Sequence, residues 1–236
     1  MKRTLALSLT LLAALSACDK ADKEAPATEA SKQETPTKQA PAPATEVKPA
    51  TQTAANPGAS LADAAGTFAI DSDHTQIIFK VKHLSTSFQY GQFTRVEGSL
   101  SIDPANLAAS KVNLTIPTAS VFTGNKKRDD HLRSPDLFDA KQFSTVTFKS
   151  TDVKATGANL YAVTGDLSMH GVTKPVTISL ENVGAAADPE MMGGKFRIGF
   201  NGEVTINRAD FGMTYMQGAG LGDDVKLLLA IEALRE

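Results

Sequence analysis

The sequence predicts an all-β domain over residues 67–236. Apolar and polar residues alternate with a period of two in many short segments, as they do in strands that bury one face. Turn-forming residues, such as Gly193 and Gly194, separate these segments. About eight segments with one apolar face each fit either an antiparallel barrel or a sandwich. Alternation alone does not distinguish the two architectures.

Composition excludes several classes of protein. The chain has 236 residues, of which 42% are hydrophobic and 21% charged, and this balance is typical of globular proteins. A formal net charge of −2 lacks the basic excess that neutralises phosphates, so we expect no nucleic-acid partner. The single Cys excludes an internal disulfide and a thiolate metal cluster.

Residues 1–17 have the features of a secretory signal peptide. Lys2 and Arg3 supply positive charge, and residues 5–15 form an apolar run that is shorter than the ~20 residues needed to span a bilayer. Residues 15–18, Leu-Ser-Ala-Cys, resemble a bacterial lipobox. The resemblance implies acylation of Cys18, with palmitate or similar chains, on the periplasmic side of a bacterial membrane, inner or outer. The alternative is a plain signal peptide with an incidental Cys.

Residues 18–66 are predicted to be the lipidated Cys18 and a disordered tether. Six of the 11 prolines fall there, Ala, Thr, Lys, Glu and Gln make up most of the rest, and Ile, Phe and Tyr are absent. Such a composition does not supply a core. We expect a spacer without a specific partner.

The segments after residue 67 differ in how clearly they predict strands. The longest clean alternation runs from Phe196 to Ile206. Residues 224–235 contain a Leu-rich stretch with high helix propensity, but Val225, Leu227 and Leu229 also alternate with polar neighbours, so we predict a closing strand. The clearest helical stretch is 125–133, with Asn125 as its N-cap.

Several blocks of the domain resemble the YceI-like family. The most specific are Arg-Asp-Asp-His-Leu at 128–132 and the ten residues 167–176, which read Leu-Ser-Met-His-Gly-Val-Thr-Lys-Pro-Val. Further matches occur in order at 70–75, 79–84, 91–93, 98–100, 103–104, 123–125, 138–139, 148–150 and 207–213, so the resemblance covers essentially all of 67–236. It implies an eight-stranded, extended, lipocalin-like antiparallel barrel with one short helix covering an end. It also implies an elongated apolar cavity for a long-chain isoprenoid or a similar amphiphilic lipid.

The residues themselves agree with a site for such a lipid. The inward faces supply Ile, Val, Leu and Phe, while Gly98, Gly165 and Gly202 on the same faces remove side-chain volume. The alternative is a solid core in which glycines mark bends. The candidate lining residues, all apolar and on inward faces, are Phe79, Val81, Leu100, Leu114, Phe148, Val163, Phe196 and Ile198.

Polar candidates are fewer. Arg128 and His131 lie on the predicted helix, where Arg128 suits an oxyanionic head group. The alternative role for both is an end cap held by ion pairs and helix-end hydrogen bonds. The four His residues lack metal-ligand spacing, so we expect no metal, and no motif predicts a cofactor or a catalytic residue.

Two functions follow from the sequence. The first is non-enzymatic binding, sequestration or transport of a long-chain isoprenoid or fatty lipid in the periplasm by a protein tethered to a membrane. The second is a stress-associated interaction module of the cell envelope with a filled barrel and no ligand. A homodimer is compatible with both.

Overall fold

The computed structural model describes residues 61–236, which form eleven strands, one α-helix and five short 3₁₀ helices. The predicted signal peptide, Cys18 and most of the predicted tether lie outside the described residues. The α-helix, α1, spans Lys126–Leu132. The strands are β1 Gly66–Ile70, β2 Gln76–His83, β3 Ser87–Phe93, β4 Glu97–Ile102, β5 Lys111–Pro117, β6 Val121–Phe122, β7 Thr145–Gly157, β8 Leu160–Met169, β9 Val172–Ala187, β10 Phe196–Asn207 and β11 Leu221–Arg235.

The strands close into an antiparallel barrel with eight strand positions. Strands β1 and β2 pair with successive parts of β11, so β1 and β2 lie end to end as one bent strand. β4 pairs with β1 and β3 pairs with β2, so β4 and β3 also lie end to end. β5 and β6 continue the pattern on β4 and β3. The order β5-β7-β8-β9-β10-β11 then completes the ring. The predicted eight-stranded barrel is confirmed, and the sandwich is excluded.

The period-two pattern turns one apolar face of each strand toward the barrel interior. On β10, Ile198, Phe200 and Ile206 are buried, whereas Asn201 and Glu203 between them are exposed. Similar alternation on the other strands gives one continuous apolar core. The sequence pattern therefore predicts the interior face directly, because successive side chains in a strand point to opposite faces.

Strand β11 forms in spite of its helix-prone sequence. Leu229 pairs with Gly202 of β10 on one side and with Ile77 of β2 on the other. A strand with partners on both edges satisfies its backbone groups and buries its alternate side chains, which outweighs helix propensities of well under 1 kcal/mol per residue.

Helix α1 lies beside β6 and beside the part of β3 that has no strand partner on that edge. Asn125 is its N-cap, since the Asn125 side chain accepts a hydrogen bond from the Arg128 backbone N–H at 3.2 Å. Asp129 is buried and accepts two hydrogen bonds from Thr123, from the backbone N at 2.8 Å and from Oγ1 at 2.5 Å. These contacts fasten α1 to the end of β6. The predicted helix and its cap are confirmed.

The described fold includes a short segment before β1. Leu61 and Ala64 are buried in the core, and Leu61–Asp63 forms a 3₁₀ helix. Residues 61–65 therefore pack against the barrel, a few residues ahead of the boundary predicted at 67. Within 61–236, no helix has the length and hydropathy that a bilayer span requires.

Gly98 provides a test of how closely β4 and β5 approach each other. Its φ is +149°, and a Cβ built there would collide with the backbone carbonyl oxygen of Asn113 on β5. We expect Gly98→Ala to lower the free energy of unfolding by about 2 kcal/mol or more, because backbone cannot move aside as a flexible side chain does. Urea unfolding at pH 7 measures the change.

Gly184→Ala on β9 is the matched control. A Cβ at Gly184 meets nothing within 4 Å. We expect this variant to be neutral or slightly stabilising, since Ala restricts the unfolded chain. Equal losses of stability in the two variants would contradict the close approach at Gly98.

Candidate ligand-binding site

The barrel interior contains an apolar cavity of about 140 Å³ beside α1. Its walls come from eight strands, from Leu132 at the end of α1, from the segment that follows this helix and from the segment between β10 and β11. The lining side chains are apolar except for one guanidinium, that of Arg208. Such a lining excludes water-soluble ligands and favours hydrocarbon.

A second, smaller cavity of about 50 Å³ lies farther along the same strands. It is lined by Leu100, Val112, Val163, Leu180 and Phe200, among others, and Leu61 closes part of it. Tyr161 also contributes, and burial raises the pKa of its phenol. The interior formed by residues 61–236 is therefore not packed solid, and two separate apolar compartments lie within it.

Arg208 faces the larger cavity but is fully engaged with the chain itself. Its guanidinium donates hydrogen bonds to the backbone oxygens of Gly222 at 2.8 Å, Met213 at 2.5 Å and Leu221 at 3.0 Å, and it pairs with Asp223 at 2.9 Å. Burial lowers the pKa of Arg208 and the charge of Asp223 raises it in part. The side chain stays charged at neutral pH and holds the loop before β11 in place.

Six of the eight predicted apolar lining residues border a cavity. Phe79, Val81, Leu114 and Phe148 line the larger one. Leu100 and Val163 line the smaller one.

The other two predicted lining residues border neither cavity. Ile198 is fully buried in the core, and Phe196 packs against Phe68 with ring centroids 6.3 Å apart. The Arg235 guanidinium lies 4.1 Å from the centroid of the Phe196 ring. Alternation marks both residues as inward, but their position along the strand sets them outside the free space.

The two polar candidates on α1 are held by neighbouring groups. Arg128 donates to Thr123 Oγ1 at 2.8 Å, to the Thr123 carbonyl at 3.0 Å and to Gln89 Oε1 at 2.9 Å. His131 lies 2.9 Å from an Asp136 carboxylate oxygen, and its ring meets that of Tyr215 edge-on at 4.8 Å. Neither lines a cavity, so in this structure both connect α1 to the barrel and to the loop before β11.

Sequence reasoning missed lining residues outside the strands. Leu132, Leu137 and Phe138 come from α1 and the turn after it, and Phe138 packs on Phe93 with centroids 5.6 Å apart. The sequence signal that could have identified them is a group of apolar residues within an otherwise polar stretch that does not alternate.

One cluster of charged groups lies on the outside of the barrel. Asp71, His74 and Glu232 bring their ligand atoms within 4.8 Å of one another, as a metal site would. The Arg197 guanidinium already pairs with the carboxylates, with contacts of 2.5 Å to Asp71, 2.6 Å to Glu232 and 3.0 Å to Asp188. The cluster therefore acts as an ion-pair network joining β10, β11 and the β1–β2 turn.

The closed antiparallel barrel and its apolar interior define a lipocalin-like fold. Residues 68–233 match the model of the YceI-like domain, and the chain belongs to this family.

Relatives and solved structures support the assignment. A UPF0312 protein of Ectopseudomonas mendocina is 42% identical over 174 residues, which are 73% of this chain and 89% of that protein. The crystal structure of BcnA from Burkholderia cenocepacia is 25% identical with a TM-score of 0.60, covering 69% of this chain and 98% of that one. A polyisoprenoid binding domain from Saccharophagus degradans has the same fold, with 18% identity, a TM-score of 0.57, and coverage of 72% of this chain and 98% of that domain.

The Arg197 network predicts a stability loss in acid. Burial raises the pKa of Asp71, but hydrogen bonds from Arg197 and His74 outweigh it, so the pKa lies below the ordinary 3.8. The hydrogen bond from Arg197 likewise lowers the pKa of Asp188. A lowered carboxyl pKa stabilises the fold above the unfolded value and ceases to do so as the pH falls through the folded value.

We therefore expect Asp71→Asn to destabilise the protein by about 1.5 kcal/mol or more at pH 7 and progressively less below pH 3.8. Thermal unfolding between pH 7 and pH 2 measures the difference from wild type. The control is Asp73→Asn in the same turn, an exposed position where no effect is expected. If the difference in stability between Asp71→Asn and wild type does not change with pH, the proposed role of the Asp71 carboxylate in the ion-pair network is contradicted.

Proposed function

We propose that the chain binds a long-chain isoprenoid or a similar amphiphilic lipid without chemical change, and sequesters or carries it in the periplasm while tethered to a membrane through acylated Cys18. The observation that carries the proposal is the interior cavity. Among the described residues that line it, the only polar side chain, Arg208, is already occupied by partners of its own. A barrel acting through its outer surface alone has no need of this space.

The energetics favour an extended hydrocarbon ligand. Each methylene moved from water into an apolar site contributes about 0.8 kcal/mol, so a chain of several isoprene units binds tightly with few polar contacts. The cavity of about 140 Å³ is close in size to engineered cavities of about 150 Å³ that bind one benzene ring. A longer chain therefore requires interior side chains to move as it enters.

The lining also supports a carrier rather than an enzyme. Among the described residues that line the larger cavity there is no Ser, Thr, Cys, His, Asp, Glu, Lys or Tyr, and so no nucleophile beside a base. The polyisoprenoid binding of the Saccharophagus degradans domain, which has the same fold, supports a ligand of this class. The lipobox-like residues at 15–18 support a periplasmic location and an anchor.

Filling the cavity tests the binding proposal. Val176 lines the larger cavity on β9, while Val183 on the same strand is exposed. We expect Val176→Phe to abolish lipid binding and Val183→Phe to leave it intact, because only the first change occupies the free space. Organic extracts of each purified protein, analysed by mass spectrometry, measure bound lipid.

The melting temperature with added farnesol or geranylgeraniol provides a second readout. A ligand at 100 times its Kd stabilises the folded state by about 2.7 kcal/mol, which raises Tm by roughly 5–10 °C for a domain of this size. We expect that rise in wild type and in Val183→Phe only. Absence of stoichiometric lipid from wild type, together with no shift in Tm, would leave the alternative of a barrel without a ligand.

The anchor has a separate test. We expect Cys18→Ser to leave the protein unacylated and to move it from the membrane fraction to the soluble periplasmic fraction, since the acyl chains supply the membrane affinity. Fractionation and the intact mass of the chain measure both effects. Retention of the variant in the membrane fraction would count against the lipobox.

A further inference from the structure

The two cavities meet at one level of the barrel. On β8, Leu167 and Met169 line the larger cavity and Val163 the smaller, with Gly165 between them. β10 repeats the arrangement, with Val204 and Ile206 on one side of Gly202 and Phe200 on the other. The transition between compartments therefore falls on a glycine in both strands.

Two large side chains occupy the space that these glycines leave open. A Cβ at Gly165 would lie 2.6 Å from Cζ of Phe148, so the Phe148 ring rests directly on the Gly165 backbone. A Cβ at Gly202 would collide with Cδ2 of Leu180 in the same way. Phe148 borders the larger cavity and Leu180 the smaller.

We propose that Phe148 and Leu180 form a movable partition between the two compartments, and that this partition sets the length of hydrocarbon chain the barrel accepts. The inference rests on the proposed lipid-binding function. Because Gly165 and Gly202 have no side chain, a passage opens along them when the Phe148 ring and the Leu180 side chain turn away. A short chain fills the larger cavity alone, and a longer chain displaces the partition to reach the smaller cavity.

The partition predicts a break in the dependence of affinity on chain length. Each buried methylene contributes about fourfold in affinity. In wild type we expect this gain for the isoprene units that enter the larger cavity, and a smaller gain for the unit that displaces Phe148. Geraniol, farnesol and geranylgeraniol, with ten, fifteen and twenty carbons, sample the series.

Phe148→Leu tests the partition by shortening it. We expect the ratio of the geraniol Kd to the geranylgeraniol Kd to rise at least tenfold over wild type, because the passage along Gly165 is then open. Leu180→Ala should raise the ratio in the same direction. Titration calorimetry or competition with a fluorescent lipid, on the folded Cys18→Ser chain, measures the constants without the protein's own acyl chains.

Phe68→Leu is the matched control. Phe68 is fully buried, as Phe148 nearly is, but borders neither cavity. We expect it to lower stability in the same manner while leaving the Kd ratio at the wild-type value. An equal change of ratio in Phe68→Leu would assign the effect to general loosening of the barrel and overturn the proposal.

The outcomes separate this inference from the function on which it rests. If no prenol binds wild type at any length, the lipid-binding function itself fails. If prenols bind and the ratio is the same in wild type and in both partition variants, binding stands and the partition is wrong. Should both variants fail to fold, a crystal structure of wild type with geranylgeraniol decides: a Phe148 ring displaced from Gly165 supports the partition, and a ring still in place overturns it.

Discussion

The pairing of strand β11 with three neighbours is the constraint on which the rest of the structure depends. β11 runs beside β10 over most of its length, while its first part pairs with β2 and its last part with β1. This division closes the ring and fixes the register of β1 and β2, and through them that of β3 and β4. Because a shift of one residue would turn every apolar side chain of a strand outward, the same pairing also determines which residues enclose the cavities.

The sequence predicts the barrel well because its information is local. The buried face of a strand can be predicted from residues two apart, and a helix cap from residues three apart. The predictions for β10 and for the Asn125 N-cap therefore agree with the structure. The YceI-like blocks then distinguish the barrel from a sandwich, a choice that alternation leaves open. The prediction for β11 required weighing alternation against helix propensity, and pairing on both edges explains the outcome.

The shape of the free space was less accessible to sequence reasoning, because it depends on contacts between strands. Gly165 and Gly202 appear in the sequence as missing volume, whereas in the structure Phe148 and Leu180 occupy that volume. All three glycines also let a backbone carbonyl approach closely, that of Asn113 at Gly98, of Lys149 at Gly165 and of Ser179 at Gly202. Ile198 and Phe196 are inward like the lining residues, yet border no cavity. Period-two reasoning identifies the face of a residue but not its depth along the barrel axis.

The position of α1 gives the barrel a flank that is held differently from its fully paired strands. Within the described residues, β3 pairs with β2 along one edge. On its other edge only Gln92 and Phe93 have a strand partner, in β6, and the rest of that edge faces the helix region. Contacts there are side-chain ones, such as Phe93 on Phe138 and Arg128 to Gln89. Swelling of the barrel at this flank breaks individual side-chain contacts, whereas swelling between fully paired strands, such as β10 and β11, breaks a continuous ladder of backbone hydrogen bonds. The β9–β10 ladder also ends beside the larger cavity, at Ser179 and Glu203, so the circumference can yield at two places when the interior expands.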